Sequence, residues 1–439
     1  MSKKKIILII LFILAVLGFS YLLYLFFFKP SLPPEEEIVP PEEEEIPGRL
    51  PIAREEWEKL SIKERAERGL PLYEWEEEVE EIAPPEEEVK IEVPPPLLPE
   101  QVKPEISEVA QGGRTWDMLA SNEPTEFATL AGDGMSSLYY NPDQGKFYQV
   151  DIYGNKTLLT DDVFYNVENV VWSPTKDKAI LEFPDGYKIS YNFKTKKQYT
   201  LPSHWESFSW NSSGTQIAFK SITKYPETTW LAVARPDGTG FQGIERMGEN
   251  ADKVIVNWSP DYRVVAFSRT GDPRGAFEQE IILIGQYGEN WPPLLVDGRG
   301  FTPKWSSTGK KLLYSVYSPD SDYKPELYLV SGDPNEPGAN KIKLNLNTWV
   351  DKCTFSKDDK YVYCAVPREM AYGTALVPEV NTREEDDFYK IDTSTGEVTF
   401  LAEGAFGAFN ASHLYVSEDG QYLYFIDKNI NRLKYIRIK

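Results

Sequence analysis

The feature that most constrains this chain is a unit that returns along it: an aromatic or apolar residue, a serine, a short polar turn, then an apolar run. It stands as Trp172-Ser173-Pro174 before Ala179–Phe183, as Trp210-Asn211-Ser212-Ser213-Gly214 before Ile217–Phe219, and as Trp258-Ser259-Pro260-Asp261 before Val264–Phe267. It stands again as Trp305-Ser306-Ser307-Thr308-Gly309 before Leu312–Tyr314, as Phe355-Ser356-Lys357-Asp358-Asp359 before Tyr361–Tyr363, and as Val416-Ser417-Glu418-Asp419-Gly420 before Tyr422–Phe425. Successive anchors lie 38, 48, 47, 50 and 61 residues apart. A period of that size, built of short β runs with turn residues between them, predicts an all-β radial architecture, a β-propeller of four-stranded blades. Seven blades are favoured, with six or eight also open.

The parse gives seven units. The first lacks the anchor but offers Ser137–Tyr140, Phe147–Ile152 and Lys156–Thr160 as its later strands. The last stops after three strands, Leu414–Val416, Tyr422–Ile426 and Leu433–Ile438. A free sheet edge invites aggregation, so the missing strand must come from elsewhere, and Thr115–Leu119 is the expected donor. The anchors Trp172, Trp210, Trp258, Trp305 and Phe355 are expected to pack between neighbouring blades.

The formal charge of the 439 residues is -22, unevenly spread. Between Lys29 and Glu108 there are 25 Glu, no Asp and nine Lys plus Arg, a local charge of -16. The same stretch holds 15 Pro, so it reads as an extended, self-repelling stalk (29–111) ahead of the propeller (112–439). Two islands in it, Arg54–Arg68 and Leu72–Ile82, read as solvated helical pieces or as docking motifs around Trp57, Leu60, Tyr73 and Trp75. No basic footprint marks a nucleic-acid partner. Residues 6–28 are an apolar run of 23, about 34 Å as a helix, enough to span a bilayer. Lys3, Lys4 and Lys5 precede it, and it lacks a small-residue cleavage site. The expectation is a single-pass anchor with residues 1–5 in the cytoplasm and the propeller outside the cell membrane.

The repeats resemble the TolB-like and WD-type β-propeller families. The matching residues are Trp172-Ser173-Pro174, Trp258-Ser259-Pro260-Asp261, Trp305-Ser306-Ser307-Thr308-Gly309 and Val416-Ser417-Glu418-Asp419-Gly420. The outer-strand ends Asp392-Thr393-Ser394-Thr395-Gly396-Glu397-Val398 and Leu158-Leu159-Thr160 match as well. The resemblance covers 112–439 and implies an extracytoplasmic protein-binding role. An anchor and stalk stand where TolB-like proteins carry a cleaved signal and a small α/β domain.

Catalytic signatures are sparse. There is no G-x-S-x-G elbow, Walker loop or dinucleotide fingerprint, and no cofactor is expected. The two histidines, His204 and His413, precede inner strands and read as packing or rim residues. Asp320 with Asp322, and Glu384-Glu385-Asp386-Asp387, are carboxylate clusters without EF-hand spacing, so no metal site is assigned. Cys353 and Cys364 flank a turn. If Asp358-Asp359 form its tip, they oppose each other at a hydrogen-bonded position, and either a disulfide or two buried thiols fits. Loop lengths point to one face as a binding surface. The loop Arg368–Asp386 is the longest and carries Tyr372, while Tyr165, Trp205, Phe301, Trp349 and Phe409 lie shortly before the anchors. Together they predict an aromatic rim for a protein or envelope component, or else packing beneath the loops. The rival expectation is an enzyme acting on glycans or peptides through channel carboxylates, metal-assisted or not.

Overall fold

The same turn recurs seven times and explains why the motif has its form. In each repeat the residue at the serine position makes a backbone bond across the turn, as when the Ser259 N–H donates to the Val264 carbonyl (2.7 Å). The serine hydroxyl then accepts the returning strand's N–H: Val264 to Ser259 (3.0 Å), Lys311 to Ser306 (3.1 Å), Tyr361 to Ser356 (3.0 Å) and Tyr422 to Ser417 (3.0 Å). Three residues after that position the chain enters the left-handed region, at Gly134, Lys176, Gly214, Tyr262, Gly309, Asp359 and Gly420, with φ between 57° and 76°. Glycine takes this conformation without strain, which is why three of the six motif copies end in it. The first repeat hides its turn because Ala131 replaces the serine and Leu130 the aromatic; Asp133 Oδ1 accepts the N–H groups of Met135 (3.0 Å) and Ser136 (2.8 Å) instead.

The computed structural model describes residues 106–377, 385–405 and 407–439. The apolar run 6–28, the two islands, nearly all of the stalk and Glu384 lie outside them, and no helix among the described residues is long and apolar enough to cross a membrane. The described residues form seven sheets, each built on an antiparallel run of strands in chain order from the inside outward, with N-terminal strands added at the outer edges of the last two: a seven-bladed β-propeller. The inner strands are Glu126–Leu130, Asn169–Trp172, Trp205–Trp210, Val254–Val256, Arg299–Trp305, Cys353–Phe355 and Ala411–Val416. The second strands read as unbroken apolar runs, such as Ala179–Leu181 and Val264–Phe267, because neighbouring blades cover both of their faces. Each such fully buried large side chain is worth about 1.5–3 kcal/mol.

The anchors join blade to blade. The indole N–H of Trp172 donates to the Phe127 carbonyl (2.8 Å), that of Trp210 to Val171 (2.9 Å) and that of Trp305 to Asn257 (3.1 Å), each acceptor lying in the preceding blade. Trp258 differs. Its indole N–H finds no partner among the described residues, and its backbone N–H donates to Ser209 Oγ (2.9 Å). Phe355 is buried without any such bond to give.

The ring closes as the missing strand required, with one refinement. Arg114–Thr115 runs parallel to the outer strand of blade six (Val398–Gly404), and Asp117–Leu119 runs antiparallel to Arg432–Arg437 of blade seven. The N–H of Ala110 donates to the Arg437 carbonyl (2.8 Å) and that of Gly112 to Leu401 (2.9 Å), so one segment laces two blades. Lys434 Nζ lies 2.9 Å from Asp117 Oδ2 on the lace and 2.9 Å from Asp427 Oδ2 on the second strand of blade seven. Burial works against its charge, but the two carboxylates outweigh it and hold the amine above the usual lysine range.

Cys353 and Cys364 form a disulfide, opposed as the register required. The turn is longer than the two-residue tip expected. The N–H of Ser356 donates to the Tyr361 carbonyl (2.9 Å) and that of Asp359 to Ser356 (3.1 Å), leaving Lys357–Lys360 as a four-residue loop. The register keeps the same partners but exchanges hydrogen-bonded for non-hydrogen-bonded positions, so the cysteines face each other with Cα atoms 4.1 Å apart. The expected contribution is about 3 kcal/mol at most, on the chain-entropy account.

Two outcomes follow. Lys434→Met leaves two shielded carboxylates without their cation and should lower stability by about 3 kcal/mol, read as a fall in the urea midpoint; an unchanged midpoint would show that closure rests on backbone pairing alone. Protein unfolded without reductant should give no free thiol by Ellman titration and two after reduction; two at the outset would contradict the bridge.

Candidate functional site

Two places before each turn position the inner strand carries a residue that reaches toward the following blade, as when Ser209 Oγ accepts the Trp258 N–H (2.9 Å) and Asn257 Nδ2 donates to the Pro303 carbonyl (3.0 Å). In six blades it carries no formal charge (Thr129, Val171, Ser209, Asn257, Thr354 and Tyr415) and in blade five it is Lys304, all half-buried. Lys304 Nζ donates to the Cys353 carbonyl, and burial lowers its pKa. Higher in the channel, His413 meets Phe127 edge-on at 6.2 Å between ring centroids. Its ring is open to the channel, yet protein crowds it from every side. That poor hydration, and then the charges of Lys428 and Lys304, hold its pKa below the usual histidine range. At the opposite mouth, burial and then Lys357 bring Lys176 down to about 8, and its Nζ donates to Thr129 Oγ1 (2.8 Å).

The loops joining second to third strands, together with those entering each inner strand, share one face. There, over blade five, lies a cavity of about 420 Å³, within the range of small-ligand sites. Its walls include Ile255 and Thr302 from inner strands, Ser315 and Tyr317 from a second strand, and Arg269, Pro325, Trp349 and Ala375 from loops. Three successive loops flank it and hold one another. The N–H of Gly373 donates to the Asp322 carbonyl (2.8 Å) and that of Ala375 to Tyr323 (2.9 Å). Arg299 fastens the first loop, giving Nε to the Ala276 carbonyl (3.0 Å) and Nη2 to Gly275 (3.1 Å). Their tips form an aromatic ridge. Phe277 meets Tyr323 at 5.9 Å and Tyr323 meets Tyr372 at 5.6 Å, both edge-to-face.

The expected aromatic rim is therefore only partly a surface. Tyr372 (70% exposed) and Tyr165 (63%) stand in solvent, and half-buried Trp349 lines the cavity. Trp205, Phe301 and Phe409 are 4%, 1% and 2% exposed and belong to the core, with Phe301 also lining the cavity. Trp205 stacks on Phe219 at 3.8 Å, Phe301 sits between Phe267 and Tyr314, and Phe409 between Phe388 and Phe425. Trp205 and Phe301 lie inside inner strands rather than in loops. A bulge in each strand, marked by positive φ at Ser207 (58°) and Gly300 (68°), inserts a residue and breaks the alternation that would have announced an earlier start.

Of the carboxylate clusters, Asp322, Glu385, Asp386 and Asp387 face cations, while Asp320 stands exposed. Asp386 is fully buried and both its oxygens lie 2.8 Å from Lys352 Nζ, while Asp387 pairs with Arg368 (2.7 Å) and Asp322 with Lys324 (3.3 Å). Among the described residues no three His, Cys, Asp or Glu side chains converge on a metal-sized site. His204 is exposed, and its carbonyl accepts the N–H of Ile222 (2.8 Å). Sequence reasoning missed Arg269, Thr302, Ser315, Tyr317 and the ridge members Phe277 and Tyr323. The available signal was an arginine directly after the buried strand Val264–Ser268, where an apolar run ends on a lone cation.

No family model matches the chain, and no curated protein does. Among solved structures it is similar to an oligogalacturonate lyase from Vibrio parahaemolyticus, with 12% identity, 74% of this chain and 91% of that one covered, and a TM-score of 0.50. A second oligogalacturonate lyase, in complex with manganese, gives 13% identity over 72% and 90%, at a TM-score of 0.49. A β-propeller domain from Myceliophteria thermophila gives 11% over 74% and 100%, at 0.45. At such identities the likeness shows the propeller fold alone.

The histidine offers a test. Its folded pKa lies below the unfolded value of about 6.5, so as pH falls through that value the unfolded chain takes up a proton that the folded chain refuses. Stability should be lost as pH falls below about 6.5. An NMR titration should place the His413 midpoint beneath that value, and His413→Phe should flatten that part of the stability profile; a midpoint at or above it would refute the crowded-channel account.

Proposed function

We propose that this chain is a membrane-anchored, extracytoplasmic β-propeller of TolB-like type. The run 6–28 is its anchor, the acidic stretch 29–111 holds it off the membrane, and it binds a protein or another envelope component. The binding surface is the loop face of blades four to six. One observation carries this reading: the 420 Å³ cavity opens beside the ridge Phe277–Tyr323–Tyr372, whose second and third loops hydrogen-bond to each other while Arg299 of blade five fastens the first. Exposed Tyr372, backed by half-buried Tyr323 and Phe277, is the kind of aromatic that anchors an interface at low cost in side-chain freedom. The enzymatic alternative draws on neighbours whose likeness reaches only the fold, and Asp386 and Asp387 are already bound by Lys352 and Arg368.

A photoreactive benzoylphenylalanine in place of Tyr372, in the full chain in its native membrane, should give a discrete adduct on irradiation. The same group in place of Tyr153, which is 83% exposed on a loop of blade one, should give none. Adducts of equal yield at both positions, or at the blade-one position alone, would move the binding surface off this face.

A further inference from the structure

The cavity over blade five has one charged wall residue, Arg269, and no carboxylate. Its surroundings leave that guanidinium half-used. Nη2 donates to the Asp252 carbonyl (2.7 Å), whereas Nε is covered by protein and donates to nothing among the described residues. Nε is thereby closed to a ligand, and the guanidinium's remaining N–H groups are the ones a carboxylate would meet, in a charge-assisted contact. Around it stand the hydroxyls of Thr302 and Ser315 and the rings of Tyr317 and Trp349.

We infer that this pocket takes a carboxylate of an extended peptide segment from the partner, its charge on Arg269 and its neighbouring apolar side chains along the ridge Phe277–Tyr323–Tyr372. This rests on the loop face being the binding surface. The ridge favours a peptide over a saccharide. Its rings meet at 64° and 78°, which gives alternating faces and edges rather than the parallel platforms on which sugar rings stack. Side chains on one face of an extended peptide recur about every 6.7 Å, close to the 5.9 and 5.6 Å between ring centroids. Residues 109–439 carry a net charge of -9, so an acidic segment is attracted here by one local cation rather than by the surface as a whole. The carboxylate can come from an acidic side chain or from a chain end.

The test uses the full chain in detergent micelles and three fluorescein-labelled octapeptides, each with two tyrosines. One has an internal aspartate and an amidated end, one a free C-terminal carboxylate, and one neither. Fluorescence anisotropy should show at least one carboxylate peptide binding about tenfold or more tighter than the uncharged one, and the tighter of the two identifies the source. R269Q should abolish that preference, R269K should keep part of it, and W349A should weaken all three. Because Arg269 also fastens Asp252, thermal melts accompany each variant; if R269Q melts lower, Thr302→Asp, which puts a negative charge into the same pocket, must abolish the preference instead. A preference that survives in these variants, equal binding of the three peptides, or no binding at millimolar concentration each overturns the inference. Equal binding that W349A still weakens leaves the loop face standing without its carboxylate. Binding insensitive to W349A, or none at all, removes both.

Discussion

Everything in this molecule depends on one edge being paired. Seven sheets around an axis have no free ends only while Asp117–Leu119 lies against Arg432–Arg437. The chain makes that pairing hard to lose. Lys434 holds a carboxylate from each side of the junction, and the hydroxyl of Tyr435 reaches across to the Ile152 carbonyl of blade one (3.0 Å). Tyr424 does the same to Met135 (2.7 Å). The inner ring, the channel and the cavity over blade five all assume that these neighbours stay in place, since the walls of the cavity come from two blades and the loops beside them.

The blades were legible because their physics is repetitive. A turn that needs a hydroxyl at its start and a left-handed residue three places later leaves a visible trace every time, and the apolar run that follows is the mark of a strand covered on both faces. The first blade escaped because Leu130-Ala131 performs the same turn with neither signal, its work passing to Asp133. Strand starts escaped for a different reason. Bulges near Phe127, Ser207, Gly300 and His413 shift the register of inner strands by a residue, so alternation fails where those strands begin. Two aromatics were consequently placed in loops when they belong to the core.

The site was less legible, and the cause is again physical. An exposed tyrosine and a buried tryptophan have the same sequence environment when both lie a few residues before an anchor; only packing separates Tyr165 from Trp205. The cavity is assembled from residues far apart in the chain, with Arg269 and Ala375 more than a hundred positions from each other. Local sequence carries no record of that meeting. Trp349 was found because it stands one short turn before an inner strand, whereas Tyr323 and Phe277 have no periodic signal at all.

The lace has a mechanical meaning. Coming from the N-terminal side, the chain first meets Thr115 through Ser107, then bonds to Arg437 and Leu401, then runs beside blade six, and only afterwards supplies the closing strand. A pull on the preceding chain therefore loads these outer contacts before it reaches Asp117. They act as strain relief acts on a cable, so that a domain pulled from its N-terminal side yields at the entry and keeps its ring shut.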